Sequence, residues 1–242
     1  MRIMIVRHGD PNYEIDGLTD KGKVEVQLLA DRLVKERMET ILCSPLGRAR
    51  ATIQPTLDRL GREAEYCDWL REFSYAPIKL PYVEGETCCW DLLPAFAETV
   101  PEIYLPDRWR EVEFIKNSDV PSAYDSVTAE LDRAIERHGY RRVGNGYRAE
   151  RPNHDTLVLV CHFGLTAVLL SHLMHCSPYS IWQHTVTLPT SVTTLYTEER
   201  EDGIVHFRAT GIGDVSHLYA GGEEPAFAAR FCECFTDDTR HH

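Results

Sequence analysis

RIMIVRHG, residues 2–9, is a short apolar-biased run that ends directly in an arginine, a histidine and a glycine. A short apolar run of this kind is typical of a strand that is buried on both faces. Two further runs have the same form: TILCSPLGR (40–48) leads into a serine and an arginine, and LVLVCHFG (157–164) leads into a cysteine and a histidine. Because the carboxyl ends of parallel strands share one edge of a sheet, we expect these three polar ends to meet there.

Helical patterns alternate with the strands. Apolar residues recur at helical spacing after Thr19, a favourable helix cap, and the segments 48–60 and 164–174 also have helical patterns. Buried strands that alternate with helices indicate an α/β protein. We therefore predict a three-layer α/β/α sandwich with a mostly parallel sheet.

Two later stretches complete the predicted fold. Ser122-x-x-Asp125 resembles a capping box and predicts the start of a helix there. The segments 192–199 and 204–211 alternate in polarity around Asp202-Gly203, which predicts a β-hairpin that adds an antiparallel edge to the sheet. We expect residues 1–242 to form one domain.

Residues 74–150 differ from the rest of the chain, since prolines, aromatic residues and acids are frequent in their first half and periodicity is weak. We interpret 74–150 as a cap-like insertion over the active site, within the single domain. Its aromatic residues, Trp90 among them, either form the core of a small cap or, for one or two of them, wall the substrate pocket.

Composition limits the function classes. The 242 residues are 43% hydrophobic and carry a formal net charge of −12, without the basic cluster of a nucleic-acid-binding protein. No apolar run is long enough for a membrane span. The eight cysteines lack zinc-finger spacing, Cys232 and Cys234 included, and no secretory signal precedes them, so we expect free thiols in the cytoplasm. The closing His241-His242 pair is either native or the remnant of a tag.

The residues at the predicted sheet edge suit phosphoryl transfer. Arg7 and Arg48 carry planar guanidinium groups that match phosphate oxygens. A neutral histidine such as His8 is a competent nucleophile, and Gly9 allows the tight turn that brings a backbone carbonyl to its ring. Two histidines are also compatible with a metal site, but the neighbouring arginines disfavour a cation, so we predict neither a metal nor another cofactor.

Three segments carry a family resemblance. VRHGDPNYE followed by LTDKG, then CSPLGRARAT, then VLVCHFG resemble, in sequence and in order, the signatures of the histidine phosphatase superfamily with the phosphoglycerate mutase-like fold. The resemblance covers residues 1–72 and 154–220 well and 74–150 poorly. It implies that His8 is the phosphorylated histidine, with Arg7 and Arg48 as phosphate-binding residues.

The resemblance also implies roles for two further residues. His162 corresponds to the second histidine, which donates a hydrogen bond to the transferring phosphoryl group. Leu70-Arg71-Glu72 resembles the segment that carries the general acid in this family, so Glu72 is the candidate that protonates the leaving oxygen. That role needs a raised pKa, which burial under the insertion would supply.

Supporting residues are predicted less directly. We expect Ser44 to position Arg48 or the phosphate loop, and His217 to be structural or peripheral, with substrate contact as its other reading. Many relatives carry an asparagine near the phosphate at the position that Glu14 occupies here, which leaves Asn12 as a displaced candidate for phosphate binding. Phe163 would either wall the pocket or pack in the core.

The expected activity is phosphomonoester hydrolysis through a phosphohistidine, without a metal, on a small phosphorylated metabolite, with phosphate or another oxyanion in the site. The segment after Glu72, FSYAPIK, lacks the pattern of the mutases, which favours hydrolysis. A phosphoglycerate-type mutase reaction is the alternative. A catalytically weak member that binds a phospholigand, and a metal-dependent hydrolase, are the other classes. No nucleic acid or membrane partner is expected, and neither the substrate's identity nor the oligomeric state has a signature in the sequence.

Overall fold

The computed structural model of the chain describes residues 1–227 and 235–236. Within these residues the chain forms ten strands and eight helices. The strands are β1 (Arg2–Arg7), β2 (Pro11–Asn12), β3 (Gly17–Leu18), β4 (Thr40–Cys43), β5 (Glu65–Tyr66), β6 (Tyr140–Val143), β7 (Gly146–Ala149), β8 (Thr156–Cys161), β9 (Val192–Glu201) and β10 (Ile204–Asp214). The helices are α1 (Asp20–Leu33), α2 (Gly47–Leu60), α3 (Pro94–Ala97), α4 (Glu113–Lys116), α5 (Val120–Arg137), α6 (Phe163–Met174), α7 (Pro178–Trp182) and α8 (Ser216–Ala220). Short 3₁₀ helices lie at Asp68–Leu70, Phe73–Tyr75, Pro101–Tyr104 and Trp109–Glu111.

Eight strands form one sheet in the order β5-β4-β8-β1-β9-β10-β7-β6. Strands β5, β4, β8 and β1 are parallel to one another, which is the parallel half that the sequence predicted. From β1 onward every pairing is antiparallel. The predicted hairpin is present as β9 and β10, but its expected position at the edge is wrong. It lies inside the sheet because the free backbone of β10 pairs with β7, and the β6–β7 hairpin forms the edge instead.

The central strands are buried on both faces because helices cover both sides of the sheet. Along β1, Ile3 and Ile5 belong to one core while Met4 and Val6 belong to the other, as the two-residue period of a strand requires. Helices α1 and α2 pack on the second core, and α5 and α6 pack on the first. This is the predicted three-layer α/β/α sandwich.

The helix starts depend on local caps. Thr19 caps α1 as predicted, and its side chain accepts a hydrogen bond from the backbone N–H of Gly22 at 3.0 Å. The capping box predicted at Ser122 is wrong, because α5 begins two residues earlier, at Val120. Pro121 suits the first turn since it has no N–H to satisfy, and the hydroxyl of Ser118 accepts the N–H of Val120 at 3.2 Å.

Residues 74–150 comprise two structurally different parts. Helix α5 and strands β6 and β7, from Val120 to Ala149, belong to the sandwich itself. Residues 73–119, which we call the irregular segment, consist of short helices and loops. The irregular segment still has buried side chains, such as Trp109 and Ile115, which join the core on the α6 side.

The six cysteines within the described residues are unpaired thiols, whereas Cys232 and Cys234 lie outside those residues, as do His241 and His242. Across residues 1–227 and 235–236, no helix combines the length and the apolar character that crossing a membrane requires.

Candidate active site

The structure brings the polar ends of the parallel strands together. Arg7 ends β1 directly opposite Cys161, which ends β8, and the N–H of His8 donates to the carbonyl of Cys161 at 3.0 Å. His162 follows Cys161 and is the residue directly before α6. The rings of His8 and His162 consequently face each other, with their centroids 5.0 Å apart.

The ring of His8 is held in one orientation by the backbone. Its Nδ1 lies 2.8 Å from the carbonyl oxygen of Gly9, which can only accept, so Nδ1 carries the proton and Nε2 keeps its lone pair. Burial, and then the charge of Arg7, lower the pKa of His8 well below the usual 6.5. His8 is therefore a neutral imidazole with a free Nε2 at neutral pH.

Gly9 is required because this turn is crowded. Its N–H donates to the hydroxyl of Thr52 at 2.8 Å, and a Cβ at this position would lie 2.9 Å from Cγ1 of Val26. A side chain here would push the loop off α1 and move the carbonyl that orients His8.

His162 has a complementary arrangement. Its Nε2 lies 2.8 Å from the hydroxyl of Ser44, and that hydroxyl already accepts the N–H of Leu46 at 3.3 Å. We assign the Ser44 hydroxyl as the donor to Nε2, which leaves the ring proton of His162 on Nδ1. This Nδ1 is buried and has no hydrogen-bond partner within the described residues. Within the described residues Ser44 bonds His162 and Leu46, whereas the Arg48 guanidinium bonds Asp16, so a role of Ser44 in positioning Arg48 or the phosphate loop stays a prediction.

The two arginines are anchored differently. Arg7 is only 2% exposed and donates from Nη1 to the carbonyl oxygen of Thr187 at 2.6 Å. Arg48 is on the first turn of α2 and donates from Nη1 to Asp16 at 2.6 Å, while its buried Nε has no partner in the part of the chain that is described. Asp16 also accepts the N–H of Gly47 at 2.6 Å, so one carboxylate fixes both the start of α2 and its arginine.

Glu72 is half-buried as a residue, but its carboxyl group lies buried beside these groups. One carboxyl oxygen accepts the N–H of Phe73 at 2.8 Å and that of Leu165, at the start of α6, at 3.2 Å. Burial raises the pKa of Glu72, although these two hydrogen bonds and the charge of Arg7 act in the opposite direction. A carboxyl group with a raised pKa can carry a proton at neutral pH, as a general acid requires.

The two remaining predicted residues, Asn12 and His217, have hydrogen-bond partners of their own. Asn12 accepts the N–H of Glu14 at 3.1 Å and so stabilises a turn. His217 is bonded to Thr190 at 3.2 Å, and burial lowers its pKa to about 4, with Arg32 acting in the same direction.

The two residues that flank His162 are buried. Phe163 is between Arg7, whose guanidinium lies 5.9 Å from the ring centre, and Trp90, whose ring lies 6.2 Å away. Cys161 is fully buried, and burial raises the pKa of its thiol, so it behaves as a small core residue.

Sequence reasoning missed three polar residues that support the site. Thr52 bonds Gly9, the carbonyl of Thr187 holds Arg7, and Asp16 holds Arg48. Asp16 had a signal in the sequence, since Asp16-Gly17 is a turn dipeptide, and Asp16 adopts a positive φ of 46°. The two threonines had no signal, because their contacts join segments that are distant in sequence.

The site is a positively charged pocket in a protein whose net charge is negative. Two arginines surround two histidines whose pKa values are both lowered well below 6.5, in each case chiefly by burial. Within residues 1–227 and 235–236 there is no group of three or more His, Cys, Asp or Glu side chains arranged to hold a metal ion. The arrangement suits an oxyanion next to a neutral nucleophile.

Comparison with known proteins agrees with this geometry. The model of the histidine phosphatase superfamily (branch 1) matches residues 3–210. The chain belongs to the histidine phosphatase superfamily. The superfamily match runs through the irregular segment and includes Arg7, His8, Arg48, Glu72 and His162, whereas His217 lies outside it.

Individual members of the superfamily are more distant. A curated protein of Schizosaccharomyces pombe described as a "probable phosphatase" is 24% identical over 235 residues, which cover 90% of this chain and 95% of that protein. Among solved structures, a phosphoserine phosphatase mutant from Entamoeba histolytica in complex with phosphoserine has a TM-score of 0.59 at 16% identity, covering 90% of this chain and 98% of its own. A mycobacterial glucosyl-3-phosphoglycerate phosphatase has a TM-score of 0.53 at 22% identity, covering 87% and 98%. These structures support the shared phosphoglycerate mutase-like fold.

Proposed function

We propose that this protein hydrolyses phosphomonoesters of small metabolites through a phosphohistidine at His8. The observation that carries the proposal is the state of the His8 ring, in which Nδ1–H is bound to the Gly9 carbonyl and Nε2 keeps a free lone pair at a lowered pKa. A buried neutral imidazole beside two arginines and a second histidine is an arrangement for nucleophilic attack on phosphorus.

Phosphate binding is assigned to three side chains. The guanidinium groups of Arg7 and Arg48 approach the nucleophile from β1 and α2. Arg7 donates to the carbonyl of Thr187, and Arg48 donates to the carboxylate of Asp16. The unpartnered Nδ1–H of His162 donates the third contact. These donors stabilise the negative charge of the equatorial oxygens in the transition state, which is the main task of a phosphoryl-transfer site.

The first chemical step forms a bond between Nε2 of His8 and phosphorus and breaks the bond from phosphorus to the ester oxygen. Protonated Glu72 gives its proton to that oxygen, so the leaving group departs as a neutral alcohol. The positive charge that develops on the His8 ring is stabilised by the Gly9 carbonyl at Nδ1.

The second step returns the enzyme to its starting state. The Glu72 carboxylate takes a proton from water, the water oxygen attacks phosphorus, and the bond between phosphorus and Nε2 breaks to release inorganic phosphate. Two backbone N–H groups, of Phe73 and Leu165, hold the carboxylate in place during this step. The cycle uses only side chains of this chain, so we propose that it needs no metal.

The same proposal covers the surroundings of the site. Of the predicted cap at 74–150, we propose that the irregular segment alone acts as the cap, because Trp90 packs against Phe163 and the carbonyl of Trp90 accepts a hydrogen bond from Gln183 at 2.5 Å. The six unpaired cysteines support a reducing compartment such as the cytoplasm. Asn12 stays a candidate for phosphate binding, and His217 stays a candidate for substrate contact.

The decisive experiment is hydrolysis of 4-nitrophenyl phosphate between pH 5 and 8, with and without EDTA, combined with trapping of the phosphoenzyme. We expect turnover that EDTA does not change, and an acid-labile, alkali-stable phosphate on the peptide that contains His8. Loss of activity with EDTA would contradict the metal-independent mechanism. Binding of a phospholigand without turnover would favour the catalytically weak alternative.

A further inference from the structure

A cavity of about 430 Å³ adjoins the proposed phosphoryl site, because Arg48 and Glu72 are both part of its wall. The other polar residues of the wall are Asp68, Arg71, Ser74 and Tyr75. Since Glu72 is the proposed donor to the leaving oxygen and also lines this cavity, the cavity is taken as the place of the group attached to that oxygen. The charges of its wall therefore select the leaving group.

Arg71 is the unpaired charge of this wall. Two other ionisable groups of the wall lie beside the phosphoryl site. Arg48 is paired with Asp16, and burial raises the pKa of Glu72, which favours its neutral, protonated form. The Arg71 side chain has no ion pair and no hydrogen bond within residues 1–227 and 235–236, although its charge is close enough to help lower the pKa of His162.

Asp68 is the one opposing charge on the wall, and it does not neutralise Arg71 through an ion pair. The contact between the two residues is a backbone one, in which the N–H of Arg71 donates to the carbonyl of Asp68 at 3.1 Å. A guanidinium without an ion pair is well suited to a carboxylate, which it can bind through two parallel hydrogen bonds. Asp68 would repel the same carboxylate.

We propose that Arg71 is a specificity-determining residue that binds a carboxylate on the leaving group, so that the preferred substrates are phosphomonoesters of small hydroxy acids. This inference rests on the proposed function, because it takes the cavity beside Glu72 as the leaving-group side. Arg71 precedes Glu72 directly in the chain, so one short segment supplies both the acid for the leaving oxygen and the cation for the leaving group.

The test compares two substrates that differ only in charge, 3-(phosphonooxy)propanoate and the corresponding propanamide. The measured quantity is the ratio of kcat/KM for the acid to kcat/KM for the amide. We expect Arg71→Met to lower this ratio about threefold to fivefold, as for one charge-assisted contact at an exposed site, and Arg71→Lys to retain most of it. Arg71→Glu should lower the ratio further, and Asp68→Asn should raise it about twofold to threefold.

Arg108→Met is the matched control, because Arg108 is an exposed arginine of the irregular segment that does not line this cavity. It makes the same change in net charge and should leave the ratio unchanged. In the unaltered enzyme, the ratio should also fall as the salt concentration rises.

The outcomes separate the inference from the function beneath it. If both substrates are hydrolysed in a His8-dependent manner and Arg71→Met leaves their ratio unchanged, the assignment of Arg71 is wrong and the phosphatase mechanism stands. If Arg108→Met lowers the ratio as much as Arg71→Met, a general charge effect replaces the specific contact. If neither these substrates nor 4-nitrophenyl phosphate is hydrolysed, the proposed function fails and the inference fails with it.

Discussion

The sheet edge and the irregular segment contribute to the same site by different physical means. At the sheet edge, His8 and His162 follow buried parallel strands whose register fixes them opposite each other. The irregular segment reaches the site through contacts between distant residues, such as Trp90 with Phe163. The difference indicates that the two histidines are held by rigid strands, whereas the irregular segment packs around the site and can change without moving the nucleophile.

The largest expected effect tests the sheet edge. His8→Ala removes the only proposed nucleophile, so we expect hydrolysis of 4-nitrophenyl phosphate to fall by about 10⁴-fold or more, by analogy with the loss of other catalytic nucleophiles. The measurement is kcat at saturating substrate, together with the absence of trapped phosphoenzyme. His206→Ala is the matched control, since His206 is exposed on β10, and it should retain full activity. Substantial activity in His8→Ala would refute the phosphohistidine.

The next effect tests the general acid. Glu72→Gln cannot donate or take a proton, so we expect the hydrolysis of an alkyl phosphate to fall by about 10²-fold to 10³-fold. Formation of the phosphoenzyme from 4-nitrophenyl phosphate should fall much less, because nitrophenolate leaves without a proton. Rapid mixing separates this step from water attack. Equal losses for both leaving groups would show that Glu72 has another role.

The pH profile gives an independent reading of Glu72. Its raised pKa belongs to a group that must be protonated in the free enzyme, so kcat/KM for alkyl phosphates should fall as the pH rises through that pKa. The pKa of His8 is lowered, so His8 stays neutral and causes no loss of activity until the pH is well below 6.5. In Glu72→Gln, the alkaline decrease should be absent, and its persistence would assign it to a different group.

Gly164 lies at the start of α6, next to the Trp90 ring of the irregular segment, so its substitution should disturb both regions. A Cβ on Gly164 would lie 2.4 Å from the Trp90 ring and 2.8 Å from the Glu72 carboxyl oxygen, so Gly164→Ala must displace one or both. We expect kcat to fall by about 10-fold to 100-fold, since small misplacements of catalytic groups have effects of this size. Gly211→Ala is the control, because a Cβ there meets nothing closer than 3.9 Å. An unchanged kcat in Gly164→Ala would show that the Glu72 position is tolerant.

The smallest expected effect tests the hydrogen bond between Ser44 and His162 at the sheet edge. Ser44→Ala removes the hydroxyl that directs the ring proton of His162 to Nδ1, so we expect a loss of about tenfold in kcat, as for one hydrogen bond in the transition state. The ¹⁵N chemical shifts of the His162 ring should show the change of tautomer directly. If the shifts change and kcat does not, the Nδ1–H of His162 is not a donor to the phosphoryl group.

The sequence predicted the sheet edge far better than the rest. Buried strands were evident from the runs that end at Arg7 and Cys161, because a strand covered on both faces must be apolar along its whole length. The capping box at Ser122 failed because a short polar pattern is ambiguous, and the proline before it set the helix start. The position of the β9–β10 hairpin failed because strand order depends on which free edges meet in three dimensions.

By itself, the sequence determined the α/β class, the four residues Arg7, His8, Arg48 and His162, and the family to which they belong, because buried strands and the polar residues that follow them are local in the chain. The tertiary structure alone decided which hydrogen-bond partner holds each of these residues. Gly9 orients His8, Ser44 sets the proton of His162, and Asp16 anchors Arg48. Such contacts join segments that are distant in the chain or depend on the local turn, and burial, which sets the pKa values of His8 and Glu72, exists only once the sandwich has formed.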